Sequence, residues 1–296
     1  MEAPSIGESQ PMTDDRQVHF ETFVAEKIEE ASAARIQTLT TIFDRVEKTV
    51  ALRVGSAWTR RHYDGDLGLV VAPPNETSVS LVFVQSPDGN TAAADPRVFG
   101  GGPTDKHLIY EGLSRVAADG VLAGARTIHP AAFFSVWHPE LIALRKDLGL
   151  PRHPAQIVVS RSGRVDFTSL LFNVPDVPVF VIGGALGLEQ HASALRDRPW
   201  IRPIVVNGDT LRPAIDRLRV EHGIRRISAV GGRFTATRLV DDGLAHDIYL
   251  TTGPRGGGVP DTPWYSGAVL PPVSVTTRKE WTDAGSRIVF EHILIG

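Results

Sequence analysis

Strands alternating with helices across residues 78–254, closed by two strands near the C-terminus, predict an α/β sandwich on a mixed, mainly parallel sheet. Three features of the chain specify it. Short apolar runs at 79–85 (VSLVFVQ), 155–160 (AQIVVS) and 177–182 (VPVFVI) have the length and continuity of strands buried on both faces. Between such runs, apolar residues return at helical spacing in 103–117 and 211–222. Last, SRIVFEHIL alternates apolar with polar residues, which with 273–277 predicts an antiparallel hairpin around Asp283-Ala284-Gly285.

From the N-terminus, residues 1–14 are polar and turn-rich and are expected to be disordered. Residues 15–77 are expected to form a helical extension. Within it Phe20, Val24, Ile28, Ile36, Leu39, Phe43, Val46 and Val50 recur at spacings of three, four or eight, one apolar stripe suited to the main domain or a partner subunit. Arg60-Arg61-His62-Tyr63 before Asp64-Gly65 reads as a solvated loop, with a phosphate grip as the other reading.

The α/β domain is expected over 78–296. Its first strand runs into Ser86-Pro87-Asp88-Gly89, where a carboxylate at a strand's carboxyl end is either a ligand contact or an Asp-Gly turn. A helix over 103–117 is expected to be capped by Thr104 and Asp105. The short strand 121–123 leads into Gly124-Ala125-Arg126-Thr127, and 155–160 into Arg161-Ser162-Gly163-Arg164. Each is a solvated turn or an anion site. Gly183-Gly184-Ala185-Leu186-Gly187 lacks the G-x-G-x-x-G spacing, which excludes the dinucleotide fingerprint. Residues 227–254 read strand, Gly231-Gly232, helix, strand. Paired glycines let a ligand approach the backbone, and the following helix start offers unpaired amides.

The net charge of −3 argues against a general nucleic-acid or anionic-membrane binder. There are no cysteines, hence no disulfide frame and no thiolate metal site, and no metal is expected. No apolar run approaches the ~20 residues that span a bilayer, so a cytoplasmic protein is expected.

Taken in order, Ser86-x-Asp88-Gly89, the helix, 118–127 (ADGVLAGART), 158–164 (VVSRSGR), Gly231-Gly232 and Gly253-Pro254 resemble the reductase domain of riboflavin biosynthesis, from residue 79 to the C-terminus. That resemblance implies a dihydrofolate-reductase-like three-layer sandwich, NADPH across the strands' carboxyl ends, and hydride transfer to a small heterocycle. It implies that Gly124, Ala125 and Thr127 line the cofactor and that Ser160, Arg161 and Ser162 hold its 2′-phosphate. Gly231, Gly232, Arg233 and Phe234 would cover the pyrophosphate and nicotinamide side. Ser86, Asp88 and Gly89 would face the substrate, with Asp88 orienting the ring and assisting protonation through a raised pKa. A homodimer is also implied. Val230 stands where the family has an acid, and His129-Pro130-Ala131-Ala132 replaces its Asp-Asp-Pro pattern. The cofactor side therefore follows the family more closely than the substrate side. A pterin reductase of the same fold and a non-catalytic NADPH-binding descendant are the alternatives.

Overall fold

In the computed structural model, which describes residues 14–47 and 50–296, one ten-stranded sheet runs through the chain. Helix α1 (Asp14–Ala33) comes first, then β1 (Thr40–Asp44), β2 (Ala51–Val54), α2 (Ala57–His62) and β3 (Leu67–Val70). The body follows with β4 (Ser78–Gln85), α3 (Gly102–Thr104) continuing as a π-helix (Asp105–Leu113), β5 (Gly120–Gly124), α4 (Pro139–Asp147), β6 (Ala155–Ser160) and β7 (Val179–Gly183). Next are α5 (Ala185–Glu189), α6 (Ala192–Arg196), β8 (Ile201–Val205), α7 (Arg212–His222), β9 (Arg226–Ala229), α8 (Arg233–Asp241) and β10 (Asp247–Thr252). The hairpin β11 (Val273–Asp283) and β12 (Ser286–Ile295) closes the chain.

The strand order is β1-β11-β12-β10-β4-β9-β5-β6-β7-β8, and β2 pairs with β3 separately. Pairs from β10 through β8 are parallel, whereas β10–β12, β11–β12 and β1–β11 are antiparallel. The mixed, mainly parallel sheet and its closing hairpin are as expected. Pro203 in β8 is tolerated because β8 is an edge.

Both faces are covered, giving three layers. One face packs Val82, Val121 and Val158 against Leu108 and Leu113 of the π-helix and Leu141 and Leu144 of α4. The other packs Leu81, Leu122 and Ile157 against Ile215 and Leu218 of α7 and Ala236 and Leu239 of α8. Burying one such leucine stabilises the fold by about 1.5–3 kcal/mol.

Three local expectations are corrected. The apolar stripe is helical only to Ala33; beyond the eight-residue jump from Ile28 to Ile36 the strand carrying β-branched Thr40 and Thr41 pairs with β11. The Arg60-Arg61-His62 run is helix α2, opened by a Ser56–Thr59 capping box. Thr104 and Asp105 do not cap. Gly101 precedes α3 without a side-chain cap, and the Thr104 hydroxyl accepts from the Gln37 amide at 2.9 Å instead. Helix α4, started by His138 and Pro139, was hidden among prolines. The disorder expected for 1–14 lies, apart from Asp14, outside the described residues.

Candidate functional site

Because β10, β4, β9, β5 and β6 are parallel neighbours, their carboxyl ends share one rim, the position where open α/β sheets bind ligands. The segments Ser86–Gly89, Gly124–Thr127, Ser160–Ser162 and Gly231–Phe234 all leave strands there. Sequence-distant turns are thereby brought side by side.

Glycine is required at the centre of the rim by close packing. A Cβ on Gly231 would lie 2.9 Å from the Gly124 amide nitrogen, and one on Gly124 would lie 2.7 Å from the Thr235 hydroxyl. Gly232 differs, since open space surrounds it and it precedes α8 with no side-chain cap. The amides of Arg233 and Phe234 find no acceptor among the described residues. Together with the helix dipole they form a positive, donor-rich end. Beside it the Phe234 ring is 63% exposed, with the guanidinium of Arg233 at 5.0 Å and that of Arg126 at 5.6 Å. An exposed aromatic ring flanked by two cations suits a flat anionic ligand. Thr127 is half-buried at the end of the same turn.

At the end of β6 the loop turns through Gly163, where the backbone of Gly187 comes so close that a Cβ would sit 2.4 Å from it. Arg161, Ser162 and Arg164 are exposed and make no ion pair among the described residues. Ser160 behaves differently from its expected role: it is buried and donates to the Arg164 carbonyl at 2.8 Å, so it shapes the loop.

The segment after β4 is a tight turn. Gly89 donates to the Ser86 carbonyl at 2.9 Å with φ at +81°, and the Ser86 hydroxyl accepts from Asn90 at 3.2 Å. Ser86 is buried and turned into this loop rather than outward. Asp88 is exposed near Gly256, facing solvent rather than an enclosed pocket. A wall stands behind the turn: Gly253 donates to Gln85 at 2.9 Å and Thr91 to Thr262 at 2.7 Å. Gly253 presses so tightly on the Phe99 carbonyl that a Cβ would sit 1.9 Å from it.

A half-buried acid of this rim is Asp105. Burial pushes its carboxyl up to about 6, against a smaller downward pull from the nearby Thr251 hydroxyl. Thr251 is the penultimate residue of β10, fully buried, and its hydroxyl makes no hydrogen bond of ordinary geometry among the described residues. An orphaned buried hydroxyl beside a protonatable carboxyl is costly for the free protein and offers donors and acceptors to a ligand. Sequence reading missed the pair because Asp105 looked like a cap and Thr251 like an ordinary strand residue. Arg126 was missed because nothing local marks it as the neighbour of Phe234, 108 positions on. No group of three or more His, Asp or Glu among the described residues could hold a metal ion.

No protein-family model matches the sequence, and no curated protein matches it. Among solved structures, the fold is similar to a pyrimidine reductase-like protein from Corynebacterium diphtheriae, with TM-score 0.60, 21% identity, and 75% of this chain and 93% of that chain covered. It is also similar to RibD of Acinetobacter baumannii, with TM-score 0.55, 15% identity, and 75% of this chain and 58% of that one covered. This chain thus matches little more than half the length of that RibD. The fold implied by the sequence resemblance is the fold these structures have.

Proposed function

We propose that the chain is an NADPH-dependent reductase of a small heterocycle, of the kind handled by the pyrimidine reductase of riboflavin biosynthesis. One observation carries this reading. A single rim gathers unpaired helix amides, a ring flanked by arginines, an arginine-serine turn and a half-buried carboxyl whose pKa is pushed up to about 6. The names of the similar structures point the same way.

The residues fit the dinucleotide. The free amides of Arg233 and Phe234, with Gly231 and open Gly232 before them, would receive the pyrophosphate. Arg161 and Ser162 would grip the 2′-phosphate through charge-assisted hydrogen bonds. Gly124, Ala125 and Thr127 would line the nucleotide between them. When bound, the nicotinamide supplies the hydride. Asp88 and Gly89 form the substrate-side loop. Asp105, in which burial favours the protonated form, would hold a proton for the ring, with Thr251 orienting the ring's polar edge. A homodimer belongs to this proposal, and a monomer in sizing chromatography would remove it.

Titration with NADPH and NADH tests the cofactor. NADPH should bind at least about tenfold more tightly, and Arg161→Ala should abolish that preference while leaving NADH affinity unchanged. Equal affinities in the wild type would sink the phosphate grip, and no binding of either would sink the reading. The substrate is tested by NADPH oxidation with a ribosylaminopyrimidine and with dihydrofolate. Turnover of the latter alone would make the chain a pterin reductase. Binding without oxidation across both would make it a non-catalytic descendant.

A further inference from the structure

The opposite rim carries a cavity of about 360 Å³, at the amino ends of β4, β5 and β9. That volume is within the range of small-molecule pockets. Part of its lining is apolar: Leu52, Val71 and Leu150 contribute to it, Leu52 and Val71 although each is about half exposed, at 48% and 49%. Its cations are Arg219, Arg225 and Arg226. The arginine pair is rigidly based, because the Asp119 carboxylate accepts the backbone amides of Arg225 and Arg226 at 2.8 and 2.9 Å. Arg226 spends one N–H on the Val70 carbonyl at 2.6 Å, and Arg219 spends one on the Pro74 carbonyl. Their remaining donors are free of ion pairs among the described residues, and the Arg225 side chain has no partner there at all.

The two acids on the lining, Asp119 and Glu76, make no ion pair with these three arginines among the described residues. One oxygen of Asp119 is occupied by the two amides, and Glu76 lies 3.5 Å from the His246 ring. Three guanidinium groups around an apolar pocket match a ligand with an anionic head and an apolar body.

We propose that this amino-end cavity is a second ligand site, separate from the carboxyl rim, for a small organic anion: a phosphate ester or carboxylate on an aromatic or branched apolar body. The head meets Arg225 and Arg226 by charge-assisted hydrogen bonds, and the body lies on Leu52, Val71 and Leu150. The strands whose amino ends border the cavity lead at their other ends to Ser86, Gly124 and Gly231, so an occupant touches the same strands that shape the carboxyl rim.

Fluorescence titration of the whole chain with 1-naphthyl phosphate and 1-naphthoate tests this, with neutral 1-naphthol and inorganic phosphate as controls. At least one naphthyl anion should saturate a single site at micromolar to low-millimolar concentration, and both controls should bind at least about tenfold more weakly. Arg225→Ala, at an exposed side chain with no partner to lose, should weaken that binding about tenfold, as should Leu52→Asp. NADPH should not displace the probe. The proposal is overturned if neither anion binds, if 1-naphthol binds as well, if Arg225→Ala binds like wild type, or if NADPH competes. Failure of NADPH to bind would leave this outcome untouched.

Discussion

Asp105 and Thr251 place opposing demands on one point of the rim. A carboxyl whose pKa rises from 3.8 in the unfolded chain to about 6 in the native state binds more protons folded than unfolded between those values. Native stability from this group is therefore full below about pH 4 and is lost as pH rises through 6. Asp105→Asn, which cannot ionise, should match wild type near pH 4 and exceed it by up to about 3 kcal/mol near pH 7. Melting temperatures from pH 4 to 8 check this, and a difference that does not grow with pH would refute the half-buried acid. If Asp105 also serves substrate, the stabler variant should lose kcat by about 10²-fold or more while retaining NADPH affinity. A second residue-scale test is Gly231→Ala. The added Cβ would be 2.9 Å from the backbone of Gly124, so β9 and β5 must part at the rim. About 1–3 kcal/mol of stability should be lost in urea unfolding, and NADPH binding should weaken with it.

Among the elements, α1 docks against a half-buried histidine, His153. Phe20 meets the Phe133 ring at 4.9 Å and the His153 ring at 5.6 Å, and Phe23 meets Trp137 at 5.8 Å. Burial, with Arg152 and Arg145 nearby, holds His153 down to about 3; burial, with His107 and His62, holds His138 down to about 4. The unfolded chain takes up these protons near 6.5, so their effect is a loss of stability as pH falls below 6.5 toward 3–4. Intrinsic fluorescence, to which Trp137 contributes, should show the melting temperature dropping steeply between pH 6 and 4. The drop should be shallower in His153→Gln; an unchanged slope would count against this account. Phe20→Ala should cost about 1–3 kcal/mol at pH 7, less than a fully buried phenylalanine because the ring is half exposed. The sequence displayed α1 through its apolar spacing but not its end, since β1 forms only when the distant β11 offers an edge. A period of 3.6 is local information, whereas strand partnership is not. By contrast, Arg60-Arg61-His62 read as a loop although the local Ser56–Thr59 capping box already marked its helix start.

At the scale of the whole chain, the alternation of strand and helix was legible because each βα unit must bury its own apolar face. The sheet order was not. Nothing local says that β4 inserts between β10 and β9, yet this insertion brings the turns after β4, β9, β5 and β6 onto one rim. Glycine turns and arginine runs could be listed from sequence; which hydroxyls turn inward, as at Ser160 and Ser86, depends on loop closure and could not. A rim assembled from four separate strands binds ligand only in the folded chain, so a nucleotide seated there must stabilise the entire molecule. At a hundredfold excess over Kd, NADPH should add about 2.7 kcal/mol. At roughly 2–4 °C per kcal/mol for a chain of this size class, the melting temperature should rise by about 5–10 °C. The rise should grow with the logarithm of NADPH concentration, and Arg161→Ala should displace that curve to higher concentration without changing its slope. A calorimetric scan in which saturating NADPH leaves the transition in place would mean that the rim, however well formed, does not hold the nucleotide.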